Sequence, residues 1–155
     1  MHIVLFEPLI PPNTGNIART CAATATVLHL VAPLGFRVDA AAVRRAGLDY
    51  WHLVDLRLHE SLPEVVEQAR KAGSTCHFFS KFARRSYAEA VYAADDYLIF
   101  GKETTGLPDY IHTQYPEALL RIPMLPSGVR SLNLSNSVAL VLYEALRQQD
   151  FPGLV

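Results

Sequence analysis

The chain has 155 residues, half of them apolar and 19% charged, with a formal net charge of −1. That length and balance fit one folded domain, residues 1–155, with a real core, and exclude a disordered or membrane-embedded chain. The near-neutral charge excludes a generic nucleic-acid coat but leaves room for a local basic patch.

His2 to Phe6 (HIVLF) reads as a buried strand, ended by Glu7-Pro8. No charged leader precedes a long apolar run at the N-terminus, so a cytoplasmic location is expected. After Pro11-Pro12, the run Asn13-Thr14-Gly15-Asn16 opens a helix reaching about Thr26, with Asn13 or Thr14 as its expected cap. Its small residues Ala18, Cys21, Ala22, Ala23 and Ala25 make it slim. Arg19 rises from the second turn, either as a rim salt-bridge residue or as a functional guanidinium. Leu28 to Ala32 is a second strand. Ala40 to Arg45 is a short helix ending at Gly47. Tyr50 to Val54 (YWHLV) reads as a third strand or strand-like run, and Ser61 to Lys71 as an amphipathic helix with Leu62, Val65, Val66 and Ala69 inward.

Thr75 to Phe79 is a buried strand, and Ser80 to Tyr87 a charged loop carrying Lys81, Arg84 and Arg85. Tyr87 to Tyr92 is a brief helix. Tyr97 to Phe100 (YLIF) is another buried strand, running straight into Gly101 to Pro108. Leu119 to Ile122 is the last strand. A polar loop then leads to Ser135 or Asn136, either of which can cap the final helix.

That helix is apolar at nearly every position of Val138 to Leu146 (VALVLYEAL). A surface helix shows an apolar stripe and a polar back, and this run is too short to span a membrane. A partner chain on its second side is expected, which makes the protein a homodimer; the plainer alternative is a central helix in a monomer.

Strands that are continuous apolar runs, alternating with helices, give an α/β fold: a mostly parallel sheet with helices on both faces. Cys21 and Cys76 read as buried free thiols, and His29, His52 and His77 as core histidines. No histidines have zinc spacing, so no metal is expected. The dinucleotide-binding and phosphate-loop glycine patterns are absent, as is the G-x-S-x-G elbow. Three polar segments remain, each at the carboxyl end of a strand: Asn13 to Arg19, Gly101 to Pro108, and Pro123 to Asn136. Ligands of open parallel sheets bind at such ends.

These segments carry a resemblance. Asn13-Thr14-Gly15-Asn16-Ile17-Ala18-Arg19, Arg44-Arg45-Ala46-Gly47-Leu48-Asp49-Tyr50, Phe100-Gly101-x-Glu103-Thr104-x-Gly106-Leu107-Pro108, Ile122-Pro123-Met124-x-Pro126 and Arg130-Ser131-Leu132-Asn133-Leu134-Ser135-Asn136 resemble the SPOUT-class RNA 2′-O-methyltransferases. Within that class the chain is most similar to the small tRNA (cytidine/uridine-34)-2′-O-methyltransferases. The motifs come in family order over nearly the whole chain. Gly128-Val129 lengthen the last loop slightly relative to that subgroup.

The resemblance implies a C-terminal trefoil knot, a rare feature among folds, with two subunits pairing across it. It implies S-adenosylmethionine as methyl donor and the anticodon stem-loop of tRNA, leucine tRNAs among the candidates, as acceptor. Carried over by position, Phe79, Gly101, Ile122, Met124, Ser131 and Leu132 would bind the donor, with Gly101 letting it reach backbone amides. Asn133, Ser135 and Asn136 would pin the last loop to itself, and Glu103 matches a carboxylate of structural role. Arg19 is the expected catalytic residue. Arg130, the 81–85 loop and Arg44-Arg45 are expected to meet RNA. Two other readings are a SPOUT enzyme for ribosomal RNA or another tRNA position, and a knotted RNA-binding dimer without turnover.

Overall fold

The computed structural model describes residues 1–38, 49–126 and 128–155. The expected helix at Ala40–Arg45, and Arg44-Arg45 with it, lie outside the described residues. Among the described residues the strands are β1 (His2–Phe6), β2 (Val27–Val31), β3 (Leu56–His59), β4 (Cys76–Phe79), β5 (Arg85–Ser86), β6 (Tyr97–Phe100) and β7 (Leu119–Arg121). The α-helices are α1 (Pro11–Ala23), α2 (Leu62–Ala72), α3 (Asp109–Gln114) and α4 (Leu134–Arg147). No described helix is long and apolar enough to cross a membrane.

The strands form one sheet in the order β3-β2-β1-β6-β4-β7-β5, and every neighbouring pair is parallel. Alternate residues of each strand point to opposite faces. Ile3, Leu5, Leu98 and Phe100 therefore meet α1 and the buried side of α4, including Val138, Val141 and Leu142. Val4, Phe78 and Ile99 meet α2 and α3 through Leu62, Val65 and Ile111. The expected parallel α/β architecture is the one observed. On α4, Leu140 and Tyr143 lie away from this core, 46% and 47% exposed.

Several local expectations change. Tyr50–Val54 is not a strand: Trp51–Leu53 forms a 3₁₀ turn, and the strand comes later, at Leu56–His59. β3 is an edge strand with one neighbour, so the run LRLH suffices where a central strand needs a continuous apolar stretch. The 80–87 loop contains β5, two residues that no periodicity could flag. The brief helix at 87–92 is a 3₁₀ turn, Tyr87–Glu89, closed by a Ser86–Glu89 capping box. The short helix α3 carries no periodicity or cap in the sequence that marks it. α1 starts at Pro11, before Asn13 and Thr14, because proline suits the first helical turn. α4 is capped by Asn133 rather than Ser135 or Asn136: its Oδ1 accepts from the backbone N–H of Ser135 at 2.8 Å and of Asn136 at 3.3 Å. The non-helical backbone of Asn133 is what aims its oxygen at those two donors.

His29 and His77 are core histidines with partners, as expected, whereas His52 is exposed in the 3₁₀ turn. His77 Nε2 lies 2.9 Å from Asp96 Oδ2. His29 sits in a row across three strands: its Nε2 is 2.9 Å from His2 Nδ1, and its Nδ1 is 2.8 Å from His59 Nε2. The row ends at Glu64, whose Oε1 is 3.4 Å from His59 Nδ1. Burial, then the neighbouring N-terminal amine and Arg57, push His2 down to about 4. Burial, then the flanking His2 and His59, push His29 down to about 3. Unfolded, each would gain a proton near the ordinary histidine value of about 6.5. Between that value and about 4 the unfolded chain therefore binds more protons than the fold. Stability is full above about pH 6.5 and is lost as pH falls below it, mostly through the buried His29, since water screens the half-exposed His2. The urea midpoint is expected to drop from pH 6.5 to 5, above the carboxylate range, and to drop less in His29→Leu. A flat profile in the unsubstituted protein would show that His2 and His29 take up protons in the fold as readily as in the unfolded chain.

Candidate functional site

Four consecutive strands of the sheet, β1, β6, β4 and β7, send their following segments to the same edge. Sequence order does not make these segments neighbours; the strand order does. Between them lies a cavity of about 640 Å³, within the range of small-molecule sites. Phe79, Gly101, Ile122, Met124, Ser131 and Leu132 all line it, so the six residues expected at one site are brought together. The rings of Phe79 and Phe100 stack at its floor, with centroids 4.6 Å apart.

Glu103 ties the segments to one another. Its carboxylate accepts from the backbone N–H of Leu9 at 2.9 Å and of Ile10 at 3.1 Å, where α1 has no side-chain cap of its own. It also accepts from Asn13 Nδ2 at 3.1 Å. Asn13 Oδ1 in turn accepts from Asn133 Nδ2 at 2.9 Å, and Asn133 caps α4. One hydrogen-bonded line thus joins the start of α1, the loop after β6 and the start of α4. Asn133 does more than pin its own loop. Burial raises the Glu103 carboxyl, but the hydrogen bonds from Leu9, Asn13 and Ile10 outweigh it and hold the group below the ordinary carboxylate value. A charge placed at the N-terminus of α1 also suits the helix dipole.

The loop after β6 closes on itself. Lys102 and Gly106 exchange backbone hydrogen bonds of 3.0 and 2.8 Å. Gly106 has φ +78°, a region that favours glycine. At Gly101 a side chain would meet the chain itself: a Cβ would fall 2.1 Å from Gly106 C and 2.2 Å from Leu107 N. Glycine is needed there for the loop's own close return, and not only for a ligand to approach backbone amides. Lys102 pairs with Glu7, tying the loop to the end of β1.

His112, on α3, also lines the cavity, with Nε2 2.9 Å from Ser80 Oγ. Sequence reasoning missed it because nothing around Asp109–Gln114 marks it; only the tertiary packing of α3, through Ile111 into the core that holds Phe78, brings it in. Among the described lining residues Glu103 is the one carboxylate, and its oxygens are already engaged. Cys21 is a buried free thiol as expected, whereas Cys76 is only half-buried; burial, joined at Cys76 by the charge of Asp96, pushes both up to about 12, so neither is an activated nucleophile. No group of three or more His, Cys, Asp or Glu among the described residues could hold a metal ion.

Arg19 is placed differently from the six. It is exposed on α1, outside the cavity lining, with its guanidinium 4.7 Å from the centre of the Tyr50 ring. The Tyr50 hydroxyl donates to Gly15 O at 2.7 Å, which fixes that ring against α1. Arg130 is exposed beside the lining residue Ser131, and Lys81 lines the cavity.

The sequence profile of the SpoU rRNA methylase family matches residues 1–143. A relative from Lactobacillus gasseri, provisionally named an RNA (cytidine(34)-2′-O)-methyltransferase, is 51% identical over 156 residues, covering 99% of this chain and 83% of its own. A structure solved in a study of the 2-OH methylation of C/U34 on tRNA is 46% identical, with TM-score 0.86, and covers 96% of this chain and 95% of its own. The SpoU methyltransferase AviRb of Streptomyces viridochromogenes, solved with its cofactor AdoMet, is 25% identical with TM-score 0.81, covering 97% of this chain and 58% of its own.

Proposed function

This chain belongs to the SpoU rRNA methylase family, and we propose that it methylates the ribose 2′-hydroxyl of nucleotide 34 of tRNA, with S-adenosylmethionine as donor. The observation that carries this is the convergence of Phe79, Gly101, Ile122, Met124, Ser131 and Leu132 on one cavity, in a chain this close to the C/U34 structure.

The donor fits the lining present. Apolar walls from Phe79, Ile122 and Leu132 would hold an adenine, and the backbone around Gly101, Met124 and Ser131 would supply its hydrogen bonds. Bound there, the donor supplies an electrophilic methyl on a cationic sulfur. The chain's part is to hold the ribose hydroxyl in line and stabilise the negative charge its oxygen gains. Arg19 is the residue for that role. A guanidinium cannot act as base near neutral pH, but its fork can align a phosphate and stabilise developing charge. The proton passes to an RNA phosphate or to water.

Because Arg19 lies outside its own chain's cavity, it serves the cavity of a second copy. The exposed Leu140 and Tyr143 on α4, which packs on α1, offer that copy an apolar face. The knot belongs to the same proposal: β7 pairs between β4 and β5, both earlier in the chain. The anticodon stem-loop, of leucine tRNAs among others, meets Arg130 and the loop after β4, and the work is cytoplasmic.

Labelled donor, purified protein and bulk tRNA test the reading. A 2′-O-methyl group removes the hydroxyl that cleaves the adjacent phosphate in alkali, so label is expected in a resistant dinucleotide from the anticodon. Label released with an ordinary mononucleotide would overturn the chemistry. Label on ribosomal RNA alone would overturn the substrate, and donor binding without transfer would leave a binding dimer.

A further inference from the structure

Residues 80–86 read SKFARRS, three cations with no carboxylate, in a chain of net charge −1. In their midst Phe82 is 72% exposed. A phenyl ring left in water forgoes the stabilisation of burial, yet this one is held in place. Its backbone N–H donates to Ser80 Oγ at 3.3 Å, and that oxygen is the one beside His112 Nε2. The Phe82 ring stands edge-on to His112, with centroids 6.1 Å apart. Lys81 Nζ lies 5.1 Å from the ring centre. Ser80, Lys81, Phe82 and His112 all line the cavity, and the exposure of Lys81 and Phe82 puts these two on its open side.

We propose that Phe82 is a stacking platform for the unpaired RNA base beside the nucleotide being methylated, with Lys81 and Arg84 taking the flanking phosphates. This rests on the RNA reading above. A small donor would need the ring buried around it, whereas a splayed base offers a flat face large enough to cover an exposed phenyl. Interleaved cations without carboxylates match a polyanionic strand. Lys81 over the ring leaves the exposed remainder for a base. Stacking accepts any base, so Phe82 contributes RNA affinity rather than choice of nucleotide.

The test uses the full chain, labelled donor and a synthetic anticodon stem-loop, with Phe82→Ala and Phe82→Trp compared to the unsubstituted protein. Phe82→Ala is expected to raise the RNA KM about tenfold, the effect of losing one base stack, with kcat at saturating RNA and donor affinity by equilibrium dialysis changed far less. Phe82→Trp restores the KM. A 2-aminopurine beside nucleotide 34 is expected to change fluorescence on binding the unsubstituted and Trp proteins but not the Ala protein. An unchanged RNA KM in Phe82→Ala would overturn the proposal, and so would an equal loss of donor affinity, which would make Phe82 a donor wall. An unsubstituted protein that methylates no RNA would overturn the underlying reading too, a result distinct from an active protein indifferent to Phe82.

Discussion

Arg19→Ala is expected to lower kcat by about 10²–10³-fold, the usual effect of removing one donor aimed at developing charge. The fold should survive, since Arg19 is exposed and its contact with the Tyr50 ring is worth only about 0.5–1 kcal/mol. Arg19→Lys should fall between, because a lysine keeps the charge but not the two-pronged fork. A variant that keeps most of its turnover while binding RNA normally would remove Arg19 from the mechanism. The placement of Arg19 adds a sharper test. If it works in a partner's cavity, mixing Arg19→Ala chains with Gly101→Ala chains regains activity, because the intact cavity of one meets the intact arginine of the other. If it works in its own chain, the mixture stays inactive.

Gly101→Ala is expected to abolish donor binding and to destabilise the fold by about 1–3 kcal/mol, the range for forcing an extra methyl into packed structure. The added Cβ would sit 2.1 Å from Gly106 C, and backbone cannot swing aside as a flexible side chain can. The 102–106 turn must open, and Glu103 is carried on it. Loss of Glu103's position unhooks Leu9, Ile10 and Asn13, and through Asn13 the cap residue Asn133. The damage should therefore reach Ser131 and Leu132 on the far wall. Donor affinity by equilibrium dialysis and a urea midpoint read the two effects. Unchanged donor affinity would mean that the cavity is not the donor site.

Much of the fold was legible because central strands such as HIVLF and YLIF are buried on both faces, and such burial leaves a continuous apolar run in the sequence. The edge strand β3 leaves no such mark, while YWHLV carries the apolar run of a strand and instead packs its aromatic residues as a turn against the same core. Asn133, and not Ser135 or Asn136, caps the last helix, although all three are good capping types. Which of them caps depends on where the backbone turns from extended to helical.

The site divides in the same way. Its residue types and their positions after strands could be read from the sequence, and the resemblance named six of them. Their meeting in one cavity could not be read. It depends on β6, β4 and β7 lying side by side, an order set by contacts between residues far apart in the chain. The Glu103–Asn13–Asn133 line spans 90 and 120 residues of sequence, and no local pattern encodes a pairing of that range. By itself the sequence determined the buried central strands, the longer helices and which loops are polar, because local periodicity records burial. Only the tertiary structure decided that three of those loops share a cavity, that His112 joins them, and that Arg19 lies outside the cavity of its own chain. Those are facts of strand order and packing, which bring together residues that the sequence keeps apart.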